Sequence, residues 1–445
     1  MEKISVAYAT AVSLGAIIGS GIFVLSGTVI SLAGILSILA FAFVGFLALI
    51  IAFETGELTS LFPDLKGSAY SFANEAFGTH LGFVTGVLLY FSYASSIAAI
   101  STGFGSYLSS IVGGDPIIYA ILLILILSVL NLMGVQKAAE ADFYLVMIKV
   151  AILVIFSAFA LLLVNRVNLA SHFTIPADAG YGFLESFQGI IFAYSGFQSV
   201  STIASSVKGG GKGAARAIIY SVIISLVLYV TVVISMMILV PANLYRISAD
   251  PLSFALSYVH APQWLYLVVG IGALIATTSA TLAMILTSSR MIYQLGADGL
   301  LPGIVAKYNR ERDVASNGVI ISAIIGLVTL FAGNVYVIAA ISNFGLLFSY
   351  LVTSLAVIHL RKRTNPEFKT PGYPYLPWFS VVGLLVIFVG MPKEALLIGA
   401  LSTMVLLVIY SLMREGKREK PEKVRLFDVL LSWKERRDQG MKQGS

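Results

Sequence analysis

Stretches of about twenty apolar residues, the length that spans a bilayer, follow one another along nearly the whole chain. Twelve can be drawn, at about residues 6–31, 37–61, 81–112, 116–134, 141–164, 184–206, 214–240, 262–291, 316–333, 336–360, 375–391 and 394–413. In hydrocarbon a backbone N–H or C=O finds no water, so only helices and closed barrels cross a bilayer. Segments of this length point to helices. The expectation is an all-α polytopic membrane protein of about twelve transmembrane helices. Charged residues are only 11% of the chain, against about 25% in soluble domains. No cleavable signal peptide is evident, because the apolar start leads into a full span.

The net charge of +6 could suggest a nucleic-acid partner, but its distribution argues for membrane topology. With the N-terminus in the cytoplasm, 24 of the 28 Lys and Arg residues fall in inside loops or the C-terminal tail. Three fall outside: Arg166, Arg246 and Lys393. That split follows the positive-inside rule and predicts a cell-membrane protein with both termini cytoplasmic. The absence of cysteine excludes disulfides and thiolate metal sites. The four histidines, His80, His172, His260 and His359, are scattered, so no metal and no cofactor are expected. The tail from Arg414 to Ser445 carries Val424, Phe427, Leu430, Leu431 and Trp433 at near-helical spacing. It reads as an amphipathic helix on the inner leaflet, as a helix docked on the protein, or as a disordered tail.

Within the first span lies G-A-I-I-G-S-G-I-F, Gly15 to Phe23. Each Gly costs a helix about 1 kcal/mol relative to Ala, and a break at membrane depth persists where it lines a cavity. The sixth span carries Phe192-Ala193-Tyr194-Ser195-Gly196-Phe197. Ser20-Gly21 and Ser195-Gly196 are each followed by an apolar residue and an aromatic, or by the aromatic itself. The two serines are 175 residues apart, about five spans. Paired interruptions in two halves point to a transporter site between inverted repeats. The competing reading is close helix packing through small residues, since Gly15 and Gly19 fit the G-x-x-x-G spacing.

These residues resemble the amino acid–polyamine–organocation (APC) transporter family over about residues 5–410. Besides the two breaks, the resemblance rests on Glu57-Leu58 with Pro63, Gly67 and Tyr70, and on Asn131-Leu132-Met133-Gly134-Val135. It also rests on Arg290-Met291-Ile292-Tyr293 with Ala297-Asp298-Gly299-Leu300-Leu301-Pro302. The resemblance implies a LeuT-like 5+5 inverted repeat with discontinuous helices 1 and 6, plus two C-terminal helices. It divides the chain into a first repeat at 1–164, a second at 165–361, spans 11 and 12 at 362–413 and a basic tail at 414–445. It implies an amino acid substrate and alternating access. Backbone N–H groups of Ser20, Gly21 and Ile22 would meet the substrate carboxylate, as suits a helix N-terminus. Carbonyls of Ile17, Phe192, Ala193 and Ser195 would meet its ammonium. Phe192 is a gate residue, or simply lipid-facing or core.

Lys149 lies in the fifth span, about 10 Å beyond Asp142 at helical rise. An intramembrane lysine is a functional hypothesis by default. The resemblance is to members with a lysine in helix 5 at the sodium position. It implies contacts with the Gly15 carbonyl and with hydroxyls at Thr278 or Ser279, and coupling to a proton. The alternatives are a lysine snorkelling to the cytoplasmic face, or a permanent charge in an exchanger or facilitator. Glu54 and Glu57 are rival proton carriers, or are solvated in a vestibule or structural. The chain departs from the family at Ala204 to Arg216, where serine replaces an acid and Gly209-Gly210-Gly211-Lys212-Gly213 replaces prolines. A flexible cytoplasmic loop is expected there, and no phosphate loop.

No acid lies at either break. Ser95, Ser96 and Thr278, with Tyr93, Phe192 and Phe344, suggest a mildly polar pocket for a neutral amino acid. A channel would want a selectivity ring, and an enzyme paired acids or a nucleophile with its base. Neither pattern is visible, so proton-coupled amino acid symport is the expectation.

Overall fold

The structure is a computed structural model that describes residues 3–19, 21–63, 69–134, 139–166, 169–176, 179–309, 311–312, 314–362 and 364–416. Ser20, Gly67 and the amphipathic part of the tail lie outside the described residues. Two units divide the chain, Met1–Thr403 and Met404–Ser445, and the site belongs to the first.

Among the described residues sixteen α-helices follow one another: α1 (Val6–Ile17), α2 (Gly21–Ala33), α3 (Leu36–Leu61), α4 (Ala69–Phe77), α5 (Thr79–Val112), α6 (Pro116–Leu132), α7 (Ala139–Leu163) and α8 (Leu169–His172). Then come α9 (Ala179–Ala193), α10 (Gly210–Leu239), α11 (Pro251–Tyr258), α12 (Gln263–Ala297), α13 (Ser316–Thr329), α14 (Val335–Leu360), α15 (Tyr375–Val389) and α16 (Lys393–Gly416). Among the described residues seven are long and apolar enough to cross a membrane: α3, α5, most of α7, α10, α12, α14 and most of α16. α1 and α2 pass that test together, as a pair bent by 47°. α6, α13 and α15 are apolar but shorter. The chain is thus an all-α polytopic membrane protein.

Burial separates inner from outer helices. The most apolar stretch of α5 is 94% buried, against 39% for that of α7, which places α5 at the centre and α7 at the periphery. On α6, Ile118, Leu122, Leu125, Ile126 and Val129 are each about half exposed. Their i, i+4, i+7 spacing makes one apolar stripe, a face suited to lipid.

Three local departures from the expected spans bear on the site. The first span is two helices, with Ile18 closing α1 and Gly21 opening α2. The sixth begins early, at Ala179, stops at Ala193 and resumes as a 3-10 helix, Phe197–Ser206. Hydroxyl residues explain the tighter helix. Ser201 and Thr202 bond back to the carbonyls of Gln198 and Ser199 at 2.6 and 2.7 Å, in competition with the main chain. The glycine run expected as a flexible loop instead starts α10 at Gly210, after a left-handed Gly209 at φ 85°. A Cβ at Gly213 would meet the Lys208 carbonyl oxygen at 2.1 Å, so that glycine permits a close packing.

Candidate functional site

The four helix ends at the two breaks meet. A Cβ added to Gly21 would lie 2.1 Å from Ala193 Cα, and one added to Gly196 would lie 2.8 Å from the Ala16 oxygen. Gly196 sits at φ 103°, where L side chains are strained, so both geometry and space require glycine there. Small residues therefore let two interrupted helices touch backbone to backbone.

Between them lies a cavity of about 20 Å³, lined by Ile17, Gly19, Gly21, Phe192 and Ser195, with Ser96, Ile100, Ala280 and Met284 from α5 and α12. That is space for about one water by the same measure, so a larger ligand needs the breaks to part. Phe192 is 5% exposed and lines this cavity, which removes it from any lipid-facing role.

The carbonyls singled out in the sequence fall into two groups. Ile17 and Ala193 both accept from the hydroxyl of Tyr229 on α10, at 2.9 and 3.2 Å. The Phe192 carbonyl is taken by Ser195, through its amide at 3.2 Å and its hydroxyl at 2.7 Å. Gly21 and Ile22 open α2, where the first-turn amides have no intrahelical acceptor by construction. One side of the cavity therefore carries the negative ends of α1 and α9, and the other the positive end of α2.

Lys149 is 2% exposed, and its Nζ donates to the Gly15 carbonyl at 3.4 Å. A cation at the C-terminus of α1 is favoured by the helix dipole. Thr278 and Ser279 are half-buried on α12, and the Ser279 hydroxyl donates to its own helix at the Ala276 carbonyl, 3.1 Å. The predicted pocket residues divide. Ser96 lines the cavity but shares its hydroxyl with Ser342 at 2.6 Å. Tyr93 accepts from Gln198 at 3.2 Å, and Gln198 in turn accepts from Tyr350 at 2.9 Å. Phe344 packs on Phe388 with ring centroids 5.5 Å apart and does not line the cavity.

Glu54 and Glu57 are fully buried on α3. Glu54 accepts from Ser380 and Ser354, both at 2.6 Å. Glu57 accepts from the Thr370 amide at 2.7 Å and pairs with Arg361 at 3.3 Å. Arg361 also donates to the Thr370 carbonyl at 2.8 Å and lies 4.7 Å from the Tyr373 ring centroid. The two acids thereby clamp α3 to α14, α15 and the loop between them. Neither lines the cavity between the breaks.

Sequence reasoning missed Tyr229, Ile100, Ala280 and Met284. A lone Tyr in an apolar span carries no motif. Its signal is chemical: a buried phenol needs a partner, and under-satisfied helix ends supply one.

An all-α membrane protein whose two interrupted helices meet around a small cavity defines the class. The sequence places it more narrowly. The chain belongs to the amino acid permease family, whose sequence model matches residues 9–413. It is 28% identical to the methylthioribose transporter of Bacillus subtilis (strain 168), over 83% of this chain and 84% of the relative. It is 28% identical to the branched-chain amino acid permease BcaP of Lactococcus lactis subsp. cremoris, over 92% and 94%. The L-asparagine permease of Salmonella typhimurium is 25% identical over 85% and 81%. A relative named as a permease is a transporter rather than an enzyme, and membership supports an amino acid transporter.

Proposed function

We propose that the chain is a secondary transporter that carries a free neutral amino acid by alternating access, coupled to a proton. The observation that carries the reading is the Tyr229 hydroxyl held between the carbonyls of Ile17 and Ala193. Two helix C-termini aimed at one hydroxyl suit an ammonium, and the opening turn of α2 suits a carboxylate. Both groups belong to the part that all amino acids share. In this reading the twelve segments form two inverted five-span repeats, 1–164 and 165–361, with two further spans, and both termini are cytoplasmic. The cavity lining has no acid, which supports a neutral substrate. Relatives named for branched-chain amino acids and asparagine are consistent with that.

Lys149 is the coupling group in this proposal. It holds the Gly15 carbonyl at 3.4 Å, where the resemblance implies a cation. Release of the proton would free Gly15 and loosen the end of α1. The test is uptake into proteoliposomes under imposed proton or sodium gradients, with all twenty L-amino acids and methylthioribose as substrates. Saturable uptake of a neutral amino acid, driven by the proton gradient and made gradient-independent by Lys149→Ala, is the expected result. Strict sodium dependence overturns the coupling. Uptake of methylthioribose alone overturns the substrate class. Strict one-for-one exchange would identify an exchanger, with Lys149 as a fixed charge.

A further inference from the structure

A second cavity, larger than the one between the breaks, lies away from them. It holds about 380 Å³, within the usual range for small-molecule sites, and lies where α5, α12 and the α10–α12 connection meet. On the topology proposed above, this is the outer face. Its lining includes one cation and one anion, Arg246 and Asp250, with Ser253, Tyr266, Leu244 and Phe254.

Four observations mark it as a built site. First, among the described residues Arg246 and Asp250 form no ion pair within 4.0 Å, although both face the cavity. Second, Asp250 occupies the N-cap position of α11, yet its carboxylate makes no capping bond. Aspartate is among the preferred N-caps because its oxygen accepts from the first-turn amides. Here that oxygen is withheld from its own helix. Third, Ser253 is 2% exposed and its hydroxyl has no partner among the described residues. Fourth, Arg246 is one of only three Lys or Arg residues predicted outside, where topology disfavours them.

We propose that this cup is an outer binding site for a zwitterionic α-amino acid. Arg246 takes the carboxylate, since guanidinium groups suit planar oxyanions. Asp250 takes the ammonium, and Leu244 with Phe254 receives the side chain. Burial holds the Asp250 carboxyl above the usual carboxylate range, and an arriving ammonium offsets that cost. The cup bears on the transport path through its floor. α11 packs on α2, where a Cβ at Gly27 would meet Pro251 at 2.5 Å. The Tyr107 hydroxyl, which lies near Asp250, donates to the Phe23 carbonyl at 2.6 Å. The inference rests on the transport reading for its ligand class.

The experiment is equilibrium dialysis of the full-length protein in lipid nanodiscs against each of the twenty L-amino acids, with counterflow measured on the same preparations. At least one amino acid is expected to bind at two per chain. Arg246→Ala and Asp250→Asn each reduce this to one, by weakening the outer site at least tenfold. The N-acetylated form, which lacks the ammonium, is likewise lost from the outer site. A single site that both variants leave intact, alongside normal counterflow, overturns the cup and spares the transporter. Two sites indifferent to both variants overturn it as well. Binding that depends on Arg246 without any counterflow retains the cup and overturns the transporter. No binding of any of the twenty overturns the cup, whatever the counterflow.

Discussion

Gly21→Ala tests the meeting of the two breaks most directly. The added Cβ would lie 2.1 Å from Ala193 Cα, 2.6 Å from its Cβ and 2.8 Å from its nitrogen. Ordinary contact begins near 3.4 Å, so α2 and α9 must separate by more than an ångström. The opposing atoms are backbone and cannot rotate aside. Overpacking of this kind costs about 1–3 kcal/mol. The Tyr229 bond to Ala193 is already 3.2 Å, so it does not survive the separation, which adds about 1 kcal/mol. The expectation is a loss of about 2–4 kcal/mol of stability and counterflow below a tenth of the parent rate per folded molecule. Ala193→Gly added to this variant removes the 2.6 Å contact but leaves the 2.1 Å one, so it does not restore transport. Gly19→Ala meets only the Ala280 methyl at 3.1 Å and is milder. Gly180→Ala meets nothing within 4 Å and is neutral. The assays are thermal unfolding and counterflow, normalised to monodisperse protein. Parent-level counterflow and an unchanged melting temperature for Gly21→Ala would refute the proposed contact.

Tyr229→Phe removes the phenol donor from the buried Ala193 carbonyl and leaves Ile17 with the Gly19 amide, at 2.7 Å. It should destabilise the empty protein by about 1–3 kcal/mol, while substrate raises its melting temperature by more degrees than it does for the parent. Equal shifts in the two proteins would count against the phenol as a stand-in for the ammonium. Arg361→Met strands the Glu57 carboxylate, and loss of a buried partner costs about 3–5 kcal/mol; because Arg361 is 15% exposed, the lower end is expected. Adding Glu57→Gln should recover most of that loss in a double-mutant cycle, and purely additive losses would show that the pair does not interact. Asp250, in the α10–α12 connection, is raised by burial from 3.8. A raised acid stabilises the fold in its protonated form and loses that contribution as pH climbs through the raised native value. Without substrate, parent stability should fall on this account above the ordinary aspartate range, and Asp250→Asn should lack that fall. Parallel melting curves from pH 4 to 7 would refute it.

The breaks were legible because a Ser-Gly step near an aromatic recurs in two spans, at Ser20-Gly21 and Ser195-Gly196. Gly21 and Gly196 stand where the backbones approach, and Lys149 reaches the Gly15 carbonyl that the family resemblance implied. What the sequence hid was partnership over distance. Glu54 is held by Ser354 and Ser380, 300 and 326 residues away, and an apolar-span serine looks the same wherever it points. Phe344 read as a pocket residue because aromatic composition carries no direction, and in the fold it faces Phe388. Arg246 and Asp250 were visible only as loop charges. Their common cavity depends on α5 and α12 closing its far side, which no local spacing encodes.

At the centre of the molecule two carbonyls, with two lone pairs each, meet the Gly19 amide, 2.7 Å from the Ile17 oxygen, and one phenol. Ile17 and Ala193 present carbonyls at the negative ends of α1 and α9, while Tyr229 offers one hydrogen to both. A phenol donates once, and an ammonium can donate three times with a full charge. On the transport reading proposed above, the lone pairs left over are a shortfall that the substrate's amino group fills. Filling it with the substrate's ammonium relieves both helix ends at once, but about 20 Å³ of space admits no amino acid. Entry must spread the contact at Gly21 before the ammonium replaces the phenol. On that reading, the atoms that would take the amine also oblige the helices to move when it binds.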